Sequence, residues 1–201
     1  MRGIGDGYAP TGDNRRGKVT LREHVADLTT LCEHAPGREY VVIAHSFASL
    51  PTMSVISDLD TVIGGAFLCG VPPSGNGPMT MRYLTRDAKL SWKIVRGLAM
   101  KGVASDARLC RELFFDDGVQ ESDLAQYMEG FKEDSVVTID LADLAKSLPT
   151  TAKQQPPKPM FVLGGESDKI VDYEGIQEMG KWAGVELQFA AGCHDVMLAW
   201  N

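Results

Sequence analysis

Four apolar runs, Tyr40 to Ala44, Thr61 to Cys69, Met160 to Leu163 and Val185 to Ala190, are separated by helix-forming sequence rather than by hairpin turns. That alternation is the tightest constraint on the fold. Strands joined by helical crossovers pair mainly in parallel, and a parallel sheet needs cover on both faces. The β-branched stretch Val41-Val42-Ile43 therefore reads as part of a strand buried on both faces. The expected class is α/β, and 201 residues suffice for one domain or one domain with an insertion.

Between the runs the helix signals are explicit. Thr20 and Glu23 form a capping box ahead of Leu21, Val25, Leu28, Leu31 and Cys32, an apolar face that predicts a helix to His34. "PGRE" breaks it. Phe47 to Ser57 reads as a helix leaving the first strand, which puts Ser46 at a strand-to-helix junction. "GVPPSGNG" ends the second strand, and from residue 72 to 158 helical patterns replace strand patterns. This stretch is expected to be a helical insertion, closed by the polar, proline-rich "PTTAKQQPPKP". Residues 172 to 183 predict one more helix. The first eighteen residues read as a loop with no apolar signal core, and "GIGDG" there lacks the flanking strand and helix of a phosphate loop.

Composition excludes several function classes. Hydrophobic residues make up 44% and charged residues 23%, and no apolar run is long enough to span a bilayer. The net charge is -7 with lysines and arginines scattered, which argues against nucleic acid and for a small-molecule partner. Cys32, Cys69, Cys110 and Cys193 show neither zinc-site nor disulfide spacing, so free thiols in a reducing, by default cytoplasmic, compartment are expected.

A serine at a sharp strand-to-helix turn has the geometry of a nucleophile elbow, with its hydroxyl lifted above the sheet edge and helical N–H groups behind it. The flanking positions must be small. Here they are Ala44 and Ala48 where glycines are usual, so an ordinary turn serine stays open as the alternative. A base and an orienting carboxylate should follow in the order serine, acid, histidine. Of the four histidines, His24 and His34 lie upstream on the first helix, and His45 should project away from Ser46. His194, in "AGCHDVML", follows the last strand. Asp168, in "GGESDKIV", follows the penultimate one, with Glu166 and Asp172 as rivals. Met79, Met81, Tyr83, Trp92, Met100, Phe114 and Phe115 read either as helix core or as the lining of an apolar substrate pocket. Pro51 falls where the helix after Ser46 would begin its hydrogen bonding, which argues against a regular first turn.

"VVIAHSFASL", "FVLGGESDKIV" and "GCHDVML" resemble the nucleophile, acid and histidine segments of the α/β-hydrolase superfamily, and "MRGIGDGY" resembles the loop after that fold's fourth strand. The nearest branch in appearance is the lysophospholipase-like and serine aminopeptidase-like hydrolases. The resemblance implies a truncated α/β-hydrolase fold, with a mainly parallel core over 1–71 and 159–201 and a helical cap over 72–158. It implies Ser46 as nucleophile, His194 as base, Asp168 as orienting carboxylate and the Phe47 N–H as one oxyanion donor. No metal and no organic cofactor are expected, and the substrate would be an ester, thioester or small amide with an apolar part. The alternative is a non-catalytic protein of the same fold that binds a ligand or partner. The strands and second oxyanion donor that the family places before "MRGIGDGY" have no counterpart here, nor does its final helix after "AWN". A weakly active, poorly soluble chain is the expectation from that.

Overall fold

A computed structural model describes residues 18–35, 37–132, 138–149 and 158–198. The loop motif at the N-terminus, most of the proline-rich linker and the final "AWN" lie outside the described residues.

Helix α1 (Leu21–Glu33) starts as its sequence predicts: Thr20 Oγ1 accepts the Glu23 N–H, and the Glu23 carboxylate accepts the Thr20 N–H at 2.9 Å. Strand β2 (Tyr40–His45) leads through a 3₁₀ turn at Ser46–Ala48 into α2 (Ser49–Asp58). Pro51 is the third residue of α2. It lies in the first turn, whose N–H groups have no acceptor within the helix, so its missing donor costs nothing. Strands β3 (Val62–Leu68), β5 (Met160–Gly165) and β6 (Gln188–Ala190) complete a four-stranded, all-parallel sheet of order β2-β3-β5-β6. Helix α8 (Tyr173–Ala183) connects the last two.

Helices α1, α2 and α8 lie on one face of the sheet. Val42, Ala44, Val62, Phe67 and Val162 point into that layer, and the absent side chain of Gly65 makes room for it. A Cβ there would stand 2.4 Å from the Ile56 methyl of α2. The opposite face is a correction to the doubly covered sheet expected from the sequence. Val41 is 62% and Ile43 69% exposed, and Ile63 and Phe161 are exposed beside them. The reason is topological: β2 is an edge strand among the described residues, and no described helix packs over this face.

Between β3 and β5 the chain forms α3 (Asn76–Arg86), α4 (Ala88–Ile94), α5 (Ala107–Phe114), α6 (Glu121–Lys132) and α7 (Leu141–Ser147). Two features escaped the sequence. Helix α3 begins inside the glycine-rich turn, and β4 (Thr138–Ile139) pairs in parallel with β1 (Lys18–Val19) as a separate two-stranded ladder. Val103, Leu109, Leu113, Phe114, Phe115 and Leu124 form an apolar cluster of their own. Met81, Trp92 and Met100 are exposed, so they belong neither to helix core nor to an enclosed pocket. No described helix is long and apolar enough to cross a membrane.

Candidate active site

Every strand of the four-stranded sheet delivers a residue to the same carboxyl edge. Ser46 follows β2, Cys69 follows β3, Asp168 lies three residues past β5 and His194 four past β6. Ser46 has φ 54°, a left-handed backbone conformation that non-glycine residues adopt at a cost of about 1–3 kcal/mol. Its surroundings hold it there. The Ser46 carbonyl accepts the Val71 N–H at 3.1 Å, and the buried Ser49 hydroxyl lies 2.8 Å from that carbonyl and 2.7 Å from that of Val71.

The three side chains singled out in the sequence meet at this edge. Ser46 Oγ is 2.9 Å from His194 Nε2, and His194 Nδ1 is 3.0 Å from Asp168 Oδ2. Asp168 is fixed from behind, since its Oδ1 accepts the N–H groups of Ile170 and Val171 at 2.8 and 3.0 Å. The rival acids are elsewhere. Asp172 takes a two-pronged bond from Arg82, at 2.6 and 2.7 Å, and caps α8, whereas Glu166 is exposed. His194 and Asp168 are almost fully enclosed, with 1% and 2% of their side chains exposed. Gly165 permits that enclosure, because a Cβ there would fall 2.4 Å from the Cys193 carbonyl and drive the histidine loop off the strand end. Phe47, directly after Ser46, is the middle residue of the 3₁₀ turn Ser46–Ala48.

Several contributors were not evident in the sequence. The His45 side chain reaches the histidine loop: its Nε2 lies 3.1 Å from the His194 carbonyl and 3.3 Å from Asp195 Oδ1, and its ring sits 4.7 Å from that of His194. Strand alternation was the available signal, since His45 shares the open face with Val41 and Ile43. Burial pushes His45 down to about 4, helped by the neighbouring His194, and pushes Asp195 up to about 6. Phe114, at the end of α5, packs its ring edge-on against His194 at 5.8 Å, and its carbonyl accepts the Asp195 N–H at 2.9 Å. Cys69, wholly buried and also left-handed at φ 45°, places its thiol beside Asp168. Burial and that carboxylate push the thiol well above its ordinary range.

A strained serine within reach of an enclosed histidine, itself bonded to a carboxylate, is an arrangement suited to acyl transfer. The family model for the alpha/beta hydrolase family matches residues 2–200. The chain belongs to the alpha/beta hydrolase family. Among solved structures it is similar to an esterase from Exiguobacterium antarcticum (13% identity, TM-score 0.68, covering 98% of this chain and 73% of that one). It is also similar to a monoacylglycerol lipase from Paleococcus ferrophilus (15%, TM-score 0.58, covering 92% and 71%) and a bromoperoxidase from Bacillus anthracis (16%, TM-score 0.59, covering 96% and 72%). No curated protein sequence matches this alpha/beta hydrolase. At these identities the neighbours establish the fold, while family membership supports a hydrolase in general.

Proposed function

We propose that this alpha/beta hydrolase cleaves a small ester, thioester or amide through an acyl-enzyme on Ser46. The observation that carries the reading is the 2.9 Å contact between Ser46 Oγ and His194 Nε2. In this mechanism Nε2 takes the serine proton as Oγ attacks the acyl carbon, and Asp168 keeps the other ring proton on Nδ1 and balances the imidazolium that forms. His194 then hands its proton to the leaving group, and water repeats the sequence to free Ser46. The Phe47 N–H, next along the elbow, donates to the oxyanion. Residues 72–158 act as a cap that supplies the apolar part of the substrate site, with Phe114 packed against His194. Of the finer branches, a lysophospholipase-like or aminopeptidase-like enzyme is our preferred reading.

A fluorophosphonate probe should label the folded chain, and Ser46→Ala should abolish labelling and lower ester hydrolysis by about 10⁴-fold or more. Equal labelling of the variant would overturn the assignment. The second reading, a ligand-binding protein without turnover, is favoured by the alanines at 44 and 48. It predicts a cooperatively folded chain that does not label at all.

A further inference from the structure

We propose that Cys69, Asp168 and His194 form a binding site for a thiophilic divalent cation of the zinc or cadmium kind, and that a cation held there silences Ser46. Strand β3 lies between β2 and β5, so Cys69, the residue that follows it, emerges beside the loop carrying Asp168. The Cys69 sulfur, a carboxylate oxygen of Asp168 and a ring nitrogen of His194 all lie within 4.8 Å of one another. A tetrahedral zinc ion, with bonds of about 2.0–2.3 Å, sets its ligands about 3.5 Å apart; His194 Nδ1 and Asp168 Oδ2 already stand 3.0 Å apart, so it is the Cys69 sulfur that closes by about 1 Å to hold one. No sequence spacing announces this site, because its ligands come from three separate strand ends.

The donor set fits such an ion in charge as well as in reach. One thiolate and one carboxylate neutralise a divalent cation, and a neutral imidazole adds a third ligand, which leaves a buried complex with no net charge. Thiolate selects the softer cations over magnesium or calcium. On binding, the Cys69 S–H bond breaks, a sulfur–metal bond forms and the proton leaves to solvent. Nothing is oxidised or reduced. The ring nitrogen that faces Asp168 is Nδ1. When Nδ1 ligates the cation its proton is lost and Nε2 carries one instead, so Nε2 donates to Ser46 Oγ where the free enzyme would accept. The binding half of this inference stands on the ligand geometry. The silencing half rests on the roles proposed above for Ser46 and His194.

Cadmium makes the test direct, because a cadmium–thiolate bond has an ultraviolet charge-transfer band. The full chain, stripped with a chelator, should bind cadmium with that band, release a proton as it binds, and lose the band when zinc competes. Cys69→Ser and Cys69→Ala should lack the band, while Cys32→Ser, Cys110→Ser and Cys193→Ser keep it. Asp168→Asn should weaken binding by at least the roughly 10–100-fold that loss of an outer-shell partner costs. Zinc should lower the hydrolysis rate of the unmodified chain, and should change each Cys69 variant's own rate far less. Absence of the band in the unmodified chain, its persistence in the Cys69 variants, or unchanged affinity in Asp168→Asn would each overturn the site. Should both Cys69 variants fail to unfold cooperatively, Asp168→Asn and His194→Ala decide on the same terms. A chain that binds cadmium as described but hydrolyses no ester would sink the functional reading and leave the cation site standing.

Discussion

The two faces of the sheet carry much the same residues and meet opposite surroundings. On one, Val42, Ala44, Val62, Phe67 and Val162 pack under three helices, and Phe67 meets the edge of Trp182 at 5.5 Å. On the other, Val41, Ile43, Ile63 and Phe161 stand in the open for most of the strand length. Among the described residues, this second face is covered at the carboxyl end, where the loop after β6 folds over His45. A β-branched residue stabilises a parallel sheet through what packs against it, and composition alone does not say which side that will be.

The contrast is sharpest if one large side chain is removed from each face. Phe67→Ala leaves a cavity in the covered layer and should cost about 3–5 kcal/mol in denaturant unfolding. A loss below about 1 kcal/mol would mean that this layer is not the core.

An intermediate effect is expected at the carboxyl end. His45, held near 4, binds no proton in the folded chain between about pH 6.5 and 4, whereas the unfolded chain does. Its contribution to stability is therefore present above about 6.5 and fades as pH falls towards 4. Asp195 has the opposite sign. Raised to about 6, it keeps its proton in the folded chain while the unfolded chain loses it, so it adds stability as pH falls from about 6 to 4. The two slopes oppose each other. His45→Gln leaves only the second, and its stability measured against the parent should rise on acidification across that window, by a few kcal/mol at most at about 1.4 per pKa unit. Parallel pH profiles for parent and variant would show that His45 is not enclosed by the histidine loop.

The smallest effect belongs to the open face. Ile43→Lys should change unfolding by no more than about 0.5 kcal/mol and should reduce self-association of a chain that presents an apolar edge strand. A penalty of several kcal/mol would show that something covers Ile43, and would erase the contrast between the faces.

Much of this architecture was legible because strand ends are marked by chemistry. The capping box at Thr20, the small residues around Ser46 and the turn after Gly165 each declare themselves over a few residues, and the serine, acid and histidine follow in chain order at three such ends. What was not legible depends on neighbours far away in sequence. The exposure of Val41 follows from which strands flank β2. The role of His45 follows from where a loop 149 residues later comes to rest. Cys69 looked like one more isolated thiol until the sheet order set it beside Asp168. The stretch between β3 and β5 was the least readable part: its helices announce themselves by period, yet Trp92 and Met100, apolar by every sequence criterion, face outward.

The bond from the Asp195 amide to the Phe114 carbonyl is a seam sewn through backbone alone. Any residue can stand at position 114 and still offer that oxygen, so the stitch tolerates changes of side chain that would undo a pair of matched groups. It does not tolerate a change in where α5 stops. One added or deleted residue in α5 would move the carbonyl off its mark and unpick the histidine loop from α5. Indels, rather than substitutions, are what this junction is built to refuse.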